Sequence, residues 1–165
     1  MKSSAEPAKI FVQANAFYFA NVRLRGNDMP PAHIKVFAGP SLVLSAFASE
    51  LYFKCLQCIE RGRYDKGHNL KNLFRSLSPA TRKRIKEKWD ADIDRNAGAR
   101  ELIEKQFGER IPADLDWALT AGARGFEELR YSFDPENANS KFFLTELPRM
   151  LREVIIEMKP EWSPQ

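Results

Sequence analysis

The sequence predicts an all-α protein, a helical bundle of five or six helices. Apolar residues recur at steps of three and four along most of the chain, as they do on the buried face of a helix. No stretch shows the strict alternation or the Asn-Gly turns typical of a sheet. The 165 residues are 44% apolar and 29% charged, the size and composition of one ordinary soluble domain. We therefore expect a single domain over residues 1–165.

Two helices are expected before the basic sequence RGRYDKGH. Apolar residues at helical steps after Pro7 predict a first helix that ends near Arg25. The Gly-Asn-Asp cluster and the two adjacent prolines that follow predict a loop as far as Gly39, with a short turn at residues 33–37. The second helix should begin at Pro40. It is apolar around most of its circumference, which predicts a central helix packed on several sides.

The second half of the chain predicts four more helical segments. They cover residues 79–92, 97–107, 114–133 and 141–158. Ser78 and Pro79 are an N-cap residue and a proline in the first helical position, which mark a helix start. The turn sequence DPENANS should end the helix over 114–133. Pro148 indicates a kink in the last helix or a later start.

The net charge of +4 and the pI near 9.1 permit binding to a polyanion without requiring it. The densest basic run lies on the helix that follows Ser78. Its residues Arg82, Lys83 and Lys86 are candidates for contact with a nucleic-acid backbone. A charge run of this kind is more often a solvated helix face, and the sequence favours that reading.

The two cysteines, Cys55 and Cys58, lie inside an apolar run that reads as helix. No nearby histidine completes a four-ligand zinc site, so buried structural thiols are expected. Such sparse cysteine use fits a reducing compartment. No signal-peptide core and no uncharged run of membrane-spanning length are found, so we expect a cytoplasmic protein without a membrane partner.

Glu50 and Lys54 are spaced as a helical ion pair, with the glutamate four residues before the lysine. One interpretation is a simple surface pair. Because apolar residues surround both positions, a buried polar cluster is the alternative.

The usual signatures of nucleotide hydrolysis and metalloprotease chemistry are absent from the sequence. There is no phosphate-binding glycine loop followed by Lys-Ser/Thr, and no H-E-x-x-H. His33 and His68 are the only histidines, so a histidine-dependent triad has few positions available. We expect neither a metal nor a cofactor.

The stretch RYDKGHNLKNLF, residues 63–74, has two interpretations. In the structural one, Gly67 ends a connection and Asn69 caps the next helix through its side-chain oxygen. His68 then packs back on the region of Glu50 and Lys54 as a fixed polar tie. In the catalytic one, His68 and Arg63 form a pair for phosphate chemistry. The glycine and the cap residue favour the structural interpretation.

The run AGPSLVLSAFASELYFKCLQCIERGRYDKGHNLKNLFRSLSP resembles a bacterial member of the HEPN superfamily of small helical bundles. The features that carry the resemblance are an apolar helix with ELYFK, a short basic connection, and GHNLKNLF at the start of the next helix. The later GFEELRYSF is similar to a segment of some members. The resemblance implies a homodimeric or heteromeric bundle in a toxin-antitoxin, phage-defence or RNA-processing system.

Catalytic members of that superfamily are metal-independent ribonucleases that use an arginine, four to six further residues and a histidine. Arg63 and His68 satisfy this spacing. A histidine can accept the proton of a ribose 2′-hydroxyl, while an arginine neutralises charge on the phosphate. The position departs from the family pattern, because the motif usually lies on a late helix and has a polar residue where Tyr64 stands here.

Arg130 is a second candidate, because it could face Glu50 or His68 across the bundle and form a polar pocket. The alternative is an exposed arginine that stabilises a helix C-terminus.

The resemblance thus implies a HEPN-like, dimeric protein of an RNA-related or defence-related system, with a metal-independent endoribonuclease activity as one hypothesis. His68 and Arg63 are its candidate catalytic residues, and Glu50, Lys54, Asn69 and Arg130 are supporting polar residues. The alternative hypothesis is a non-catalytic dimerising module. Its partner would be a nucleotidyltransferase-type or antitoxin-type protein, or a second copy of the chain.

Overall fold

A computed structural model describes residues 6–26, 30–137 and 141–163. Within these ranges the chain is all-helical and contains no strand, so the predicted all-α class is confirmed. The helices are α1 (Pro7–Leu24), α2 (Pro31–Arg61), α3 (Leu70–Arg75), α4 (Pro79–Arg95), α5 (Ala97–Phe107), α6 (Leu115–Ala121), α7 (Gly125–Glu128) and α8 (Leu147–Met158). Two 3₁₀ turns follow α7 and α8, at Leu129–Tyr131 and Pro160–Trp162.

Helices α1 and α2 form an antiparallel hairpin. The Phe11 ring lies 6.0 Å from the Tyr52 ring, and further along α1 the Phe17 ring lies 4.5 Å from that of Phe47. Near the end of α1, the Ser41 hydroxyl donates to the side-chain oxygen of Asn21. Later residues of α1 contact earlier residues of α2, so the two helices run antiparallel. The predicted first helix is confirmed.

The predicted loop as far as Gly39 is wrong, because α2 already begins at Pro31 and continues through Pro40. Pro31 occupies the first helical turn, where a missing N–H costs nothing. Pro40 removes the hydrogen bond to the carbonyl of Val36, but both residues are exposed, so water can satisfy that carbonyl. Residues 27–29 of the expected loop lie outside the described residues.

The remainder of α2 is the central helix of the fold, as predicted. Tyr52, Phe53 and Leu56 are fully buried, and α2 packs against α1, α3, α7 and α8. The part from Val36 to Arg61 is also long and apolar enough to cross a membrane, with a mean hydropathy of 1.4. In the most apolar 18-residue stretch of this part, 44% of the residues are buried inside the protein, and core helices of globular domains can have the same composition.

Helices α4 and α5 lie where the sequence predicts them, but the long helix expected over residues 114–133 is wrong. The structure replaces it by α6, a turn at residues 122–124, α7 and a 3₁₀ turn. Gly122 and Gly125 explain the break. A Cβ atom at Gly125 would lie 2.7 Å from the Phe142 ring, so this segment approaches its neighbour more closely than any side chain would allow.

The last helix begins at Leu147 rather than at residue 141, with Pro148 in its first turn. The later start, one of the two outcomes that Pro148 indicated, is the one observed. Leu151, Val154 and Ile155 are fully buried where α8 packs against α2 and α4. Residues 138–140 of the predicted turn DPENANS lie outside the described residues.

Candidate functional site

A polar stripe crosses the otherwise apolar helix α2. Glu50, Lys54 and Gln57 follow one another at steps of four and three, so they share one face of the helix. All three are buried, with 1%, 8% and 0% of their surfaces exposed. Buried polar groups of this kind need partners. The partners come from α2 itself, from the connection between α2 and α3 (residues 62–69), and from Leu73 and Ser76 at the end of α3.

Glu50 and Lys54 form a buried ion pair rather than a surface one. Lys54 Nζ donates to Glu50 Oε1 over 2.7 Å, and the two side chains are 10% and 2% exposed. The buried polar cluster, one of the two alternatives left open by the sequence, is therefore observed. The second carboxylate oxygen, Glu50 Oε2, is buried and has no hydrogen-bond partner in the described part of the chain.

His68 shares the carboxylate oxygen that Lys54 uses. Its Nδ1 lies 3.0 Å from Glu50 Oε1, and half of its side-chain surface (50%) remains exposed. The tie to Glu50 expected by the structural interpretation is present, yet the imidazole is open to solvent. We name these three residues, Glu50, Lys54 and His68, the polar cluster.

The connection that carries His68 is held in place by Gln57. The side-chain amide of Gln57 accepts a hydrogen bond from the Asp65 backbone N–H (2.8 Å) and donates to the Ser76 hydroxyl (2.6 Å). Arg61 also donates to the Asp65 carboxylate over 2.8 Å, and this hydrogen bond holds the pKa of Asp65 below its usual value. Gly62 ends α2 with a φ of 70°, a conformation that favours glycine.

Asn69 caps α3 as the sequence predicts. Its side-chain oxygen accepts a hydrogen bond from the Asn72 backbone N–H over 3.0 Å. The neighbouring Leu70 N–H donates to the Ala123 carbonyl over 2.9 Å, which attaches the start of α3 to the turn after α6. These two bonds determine where the connection ends and therefore where His68 lies.

Replacing Asn69 by alanine should lower the free energy of unfolding by about 1 kcal/mol, because the Asn72 N–H loses its acceptor. Replacement by aspartate keeps an acceptor oxygen and should cost less than half as much. Urea denaturation of the two variants measures the difference. Equal losses in both would show that the cap contributes nothing.

Among the described residues, no contact joins the side chains of Arg63 and His68. Arg63 is exposed on the connection, and the charge of its guanidinium contributes to the lowered pKa of Asp65. The connection contains no helix between the two residues. A role for Arg63 in phosphate binding stays a prediction.

Arg130 reaches the neighbourhood of His68 through an aromatic ring. Its guanidinium carbon lies 4.3 Å from the centre of the Phe126 ring, and its Nε donates to the Phe126 carbonyl over 3.0 Å. The same ring stacks on Phe47 at 4.5 Å and lies 6.4 Å from the imidazole of His68. Arg130 therefore contacts the ring that neighbours His68, and no bond between described residues joins it to Glu50 or His68.

The basic run of α4 is partly neutralised by acidic neighbours. Lys86 pairs with Asp90 at 2.7 Å, and Lys83 lies 3.8 Å from Glu87. Arg82 is half-buried, and its Nε is a buried donor without a partner in the described ranges. These pairings match the solvated helix face that the sequence favours, and nucleic-acid contact by Arg82, Lys83 and Lys86 stays a prediction.

Cys55 and Cys58 are buried, free thiols on α2. Burial raises the pKa of Cys55 to about 12 and also raises the pKa of Cys58. Both therefore stay protonated and unreactive near neutral pH, in agreement with structural thiols. Among the described residues, no three His, Cys, Asp or Glu side chains are grouped so that they could hold a metal ion.

Sequence reasoning missed three residues around the polar cluster: Gln57, Tyr64 and Phe126. Gln57 was detectable, since it continues the spacing of Glu50 and Lys54 on a helix that is otherwise apolar. Tyr64 lies with its ring centre 5.7 Å from Lys54 Nζ, and Phe126 comes from a distant helix. No sequence signal distinguished these two aromatic residues from ordinary core or surface positions.

No protein-family model, no curated protein and no solved structure matches this chain.

Proposed function

We propose that this chain is a HEPN-like helical protein that cleaves RNA without a metal, with His68 as the proton acceptor and Glu50 as the residue that positions it. One observation carries the proposal. His68 Nδ1 is held 3.0 Å from a buried carboxylate while half of the imidazole stays open to solvent. A fully buried histidine could not offer its second ring nitrogen to a substrate.

In this proposal the two ring nitrogens of His68 have different tasks. With its proton on Nδ1, His68 donates to Glu50, and Nε2 is then an acceptor. No described residue bonds to Nε2. In RNA cleavage, Nε2 takes the proton of the 2′-hydroxyl as the 2′-oxygen attacks phosphorus. The bond from phosphorus to the 5′-oxygen breaks, and water protonates the leaving oxygen, which yields a 2′,3′-cyclic phosphate and a 5′-hydroxyl end.

Exposed cations for the phosphate are available on the same connection. Arg63 and Lys66 are both exposed, and neither forms an ion pair with another described residue. Lys54 cannot take this task, because its ammonium is buried against Glu50. The guanidinium of Arg63 can donate two parallel hydrogen bonds to a phosphate that gains negative charge in the transition state. Arg63 therefore keeps its expected role, although it approaches the substrate from the connection and not from a shared helix.

His68→Ala should reduce the cleavage rate of single-stranded RNA at least a hundredfold, the range typical for loss of a general base. The assay contains EDTA and detects the cyclic phosphate end. His33→Ala is the matched control, since it removes the other histidine, which is exposed on α2. It should leave the rate unchanged. RNA cleavage that survives in His68→Ala would refute the catalytic assignment.

A second candidate function is a non-catalytic dimerising module that binds a nucleotidyltransferase-type or antitoxin-type partner. The observation in its favour is that Lys54 and His68 converge on one oxygen of Glu50, so the polar cluster also ties the connection to α2. Helix α1 in addition exposes Val12, Phe19 and Val22. If this function is right, His68→Ala lowers the melting temperature while the chain has no RNA-cleaving activity to lose.

A further inference from the structure

Helix α5 lies beside the bundle rather than inside it. No side chain that the structure describes on α5 is buried, and Leu102 and Ile103 are 69% and 42% exposed. Hydrogen bonds attach the helix to the segment that follows it. Arg100 donates to the Ile111 carbonyl over 2.7 Å, and Glu104 accepts from the Ile111 N–H over 2.9 Å. The apolar side chains of α5 therefore lack close packing partners.

An open cleft of about 610 Å³ lies between α5, the end of α4 and the start of α8. This volume lies within the usual range of small-molecule sites, about 300–1,000 Å³. Its apolar lining consists of Trp89 and Ile93 on α4, Ala99 and Ile103 on α5, and Phe143 before α8. Ala99 and Ile103 are four positions apart, so they share the face of α5 that borders the cleft. None of the described lining residues belongs to the polar cluster.

The charged groups around this cleft leave one guanidinium without a carboxylate. The charged lining residues are Asp92, Arg95, Arg100, Glu146 and Arg149. Arg149 lies 2.6 Å from Asp92 and 3.5 Å from Glu146, so both carboxylates already have a cation. Arg95 is 68% exposed and lies 3.8 Å from Asp92. Arg100 forms no ion pair with any residue that the structure describes, so it is the group that an anion in the cleft would meet.

These walls fit a molecule that has an apolar body and one negative charge. Its body would cover Ile103 and Phe143 and remove their exposed apolar surface from water. Its carboxylate would accept charge-assisted hydrogen bonds from Arg100. A cation would instead approach three arginines, and a neutral molecule would leave Arg100 without a counter-charge. An amphiphilic carboxylate therefore matches both the apolar and the charged parts of the lining.

We propose that the cleft between α5 and α8 binds a small amphiphilic carboxylate, with its apolar chain against Ile103 and Phe143 and its carboxylate on Arg100. The site goes beyond the proposed function and uses none of its residues, so either proposal can fail alone. Because the ligand contacts both α5 and the segment before α8, its binding attaches α5 to the bundle.

Titration of the isotope-labelled full chain, followed by NMR, tests the site with octanoate, 1-octanol and butanoate. We expect octanoate to shift the amide signals of Arg100, Ile103 and Phe143. The alcohol 1-octanol keeps the chain without the charge and should bind about tenfold more weakly, because hydrogen bonds to a charged group are lost. Butanoate keeps the charge on a shorter chain. It should bind at least tenfold more weakly, since each buried CH₂ group strengthens binding about fourfold.

Ile103→Asp should weaken octanoate binding at least tenfold, because a second carboxylate then lies against the apolar chain. Leu102→Asp is the matched control, since Leu102 precedes Ile103 on the same helix, is exposed and lies outside the lining of the cleft. It should leave the affinity unchanged. Arg100→Gln should make octanoate and 1-octanol bind alike, whereas Arg110→Gln, which changes an exposed arginine outside this cleft, should keep the preference for octanoate.

Equal affinity of the unchanged protein for octanoate and 1-octanol would overturn the inference. Equal losses in Ile103→Asp and Leu102→Asp would do the same, because they would place the bound molecule outside the cleft. Selective octanoate binding by a chain that does not cleave RNA would keep this site and reject the catalytic proposal. RNA cleavage that depends on His68, without octanoate binding to the cleft, would do the reverse.

Discussion

Glu50→Ala should lower the free energy of unfolding by about 3–5 kcal/mol, the usual cost of removing one partner from a buried ion pair. The variant leaves the ammonium of Lys54 only 10% exposed and without its carboxylate. It also removes the acceptor of His68 Nδ1. Since ordinary domains are stable by about 5–15 kcal/mol, a loss of this size is a large part of the total. Urea denaturation followed by circular dichroism measures it.

Asp90→Ala is the matched control for this prediction. Lys86 and Asp90 have the same spacing of four residues and the same 2.7 Å contact as the buried pair, but their side chains are 57% and 51% exposed. Exposed pairs contribute about 0–1 kcal/mol, so this variant should change the stability little. Losses of similar size in Glu50→Ala and Asp90→Ala would contradict a buried, stabilising cluster.

A double variant separates the cost of an unpaired charge from the cost of a cavity. In Glu50→Leu with Lys54→Met, both charges are replaced by apolar groups of similar length, and most of the stability should return. The same double variant should still fail to cleave RNA, because His68 has lost the carboxylate that positions it. Restored stability together with lost cleavage would show that the polar cluster serves the reaction and is not needed for folding.

Gly125→Ala should lower the free energy of unfolding by about 1–3 kcal/mol, the range for overpacking in a filled core. The added Cβ would lie 2.7 Å from two carbon atoms of the Phe142 ring and 3.5 Å from the Cβ of Ala46. Either the ring or helix α7 has to move. Because α7 carries Phe126, which stacks on Phe47 and borders His68, the change should also disturb the surroundings of the polar cluster.

Gly98→Ala supplies the comparison, since a Cβ at Gly98 meets no atom within 4 Å. This glycine is the second residue of α5, where alanine is still a better helix former than glycine. The control should therefore be neutral or stabilising. Thermal unfolding of both variants gives the comparison, and a stable Gly125→Ala protein would mean that Phe142 can turn away without cost.

The two proposed functions differ in what they require of His68. RNA cleavage requires that one imidazole nitrogen of His68 is accessible to the substrate and that the other is held in place. Half of the His68 side chain is exposed, and its Nδ1 contacts Glu50. A dimerising module requires only the tie to Glu50. Mass measurement in solution adds independent information, because the exposed apolar residues of α1, Val12 and Phe19 among them, suit an interface with a second copy.

Local signals in the sequence were sufficient for much of the helical framework. The Asn69 cap and the Ser78 start of α4 follow from side chains that accept hydrogen bonds from their own backbone three residues later. The first helix follows from its apolar periodicity and from Pro7 in its first turn. Two predictions failed for different reasons. Pro40 suggested a helix start, yet α2 continues through it. The helix expected over residues 114–133 stops at Gly122, a weak helix former whose preference the apolar periodicity had outweighed in the prediction.

The helical class, the apolar central helix and the Asn69 cap at the start of α3 follow from the sequence alone. Which side chains contact one another depends on the packing of distant segments. Whether Glu50 and Lys54 are buried depends on α1 and the connection that cover them, and the contact from His68 to Glu50 spans 18 residues. Phe126 reaches His68 from a helix more than 50 residues away. Such contacts arise from the packing of distant segments, which helical periodicity does not encode.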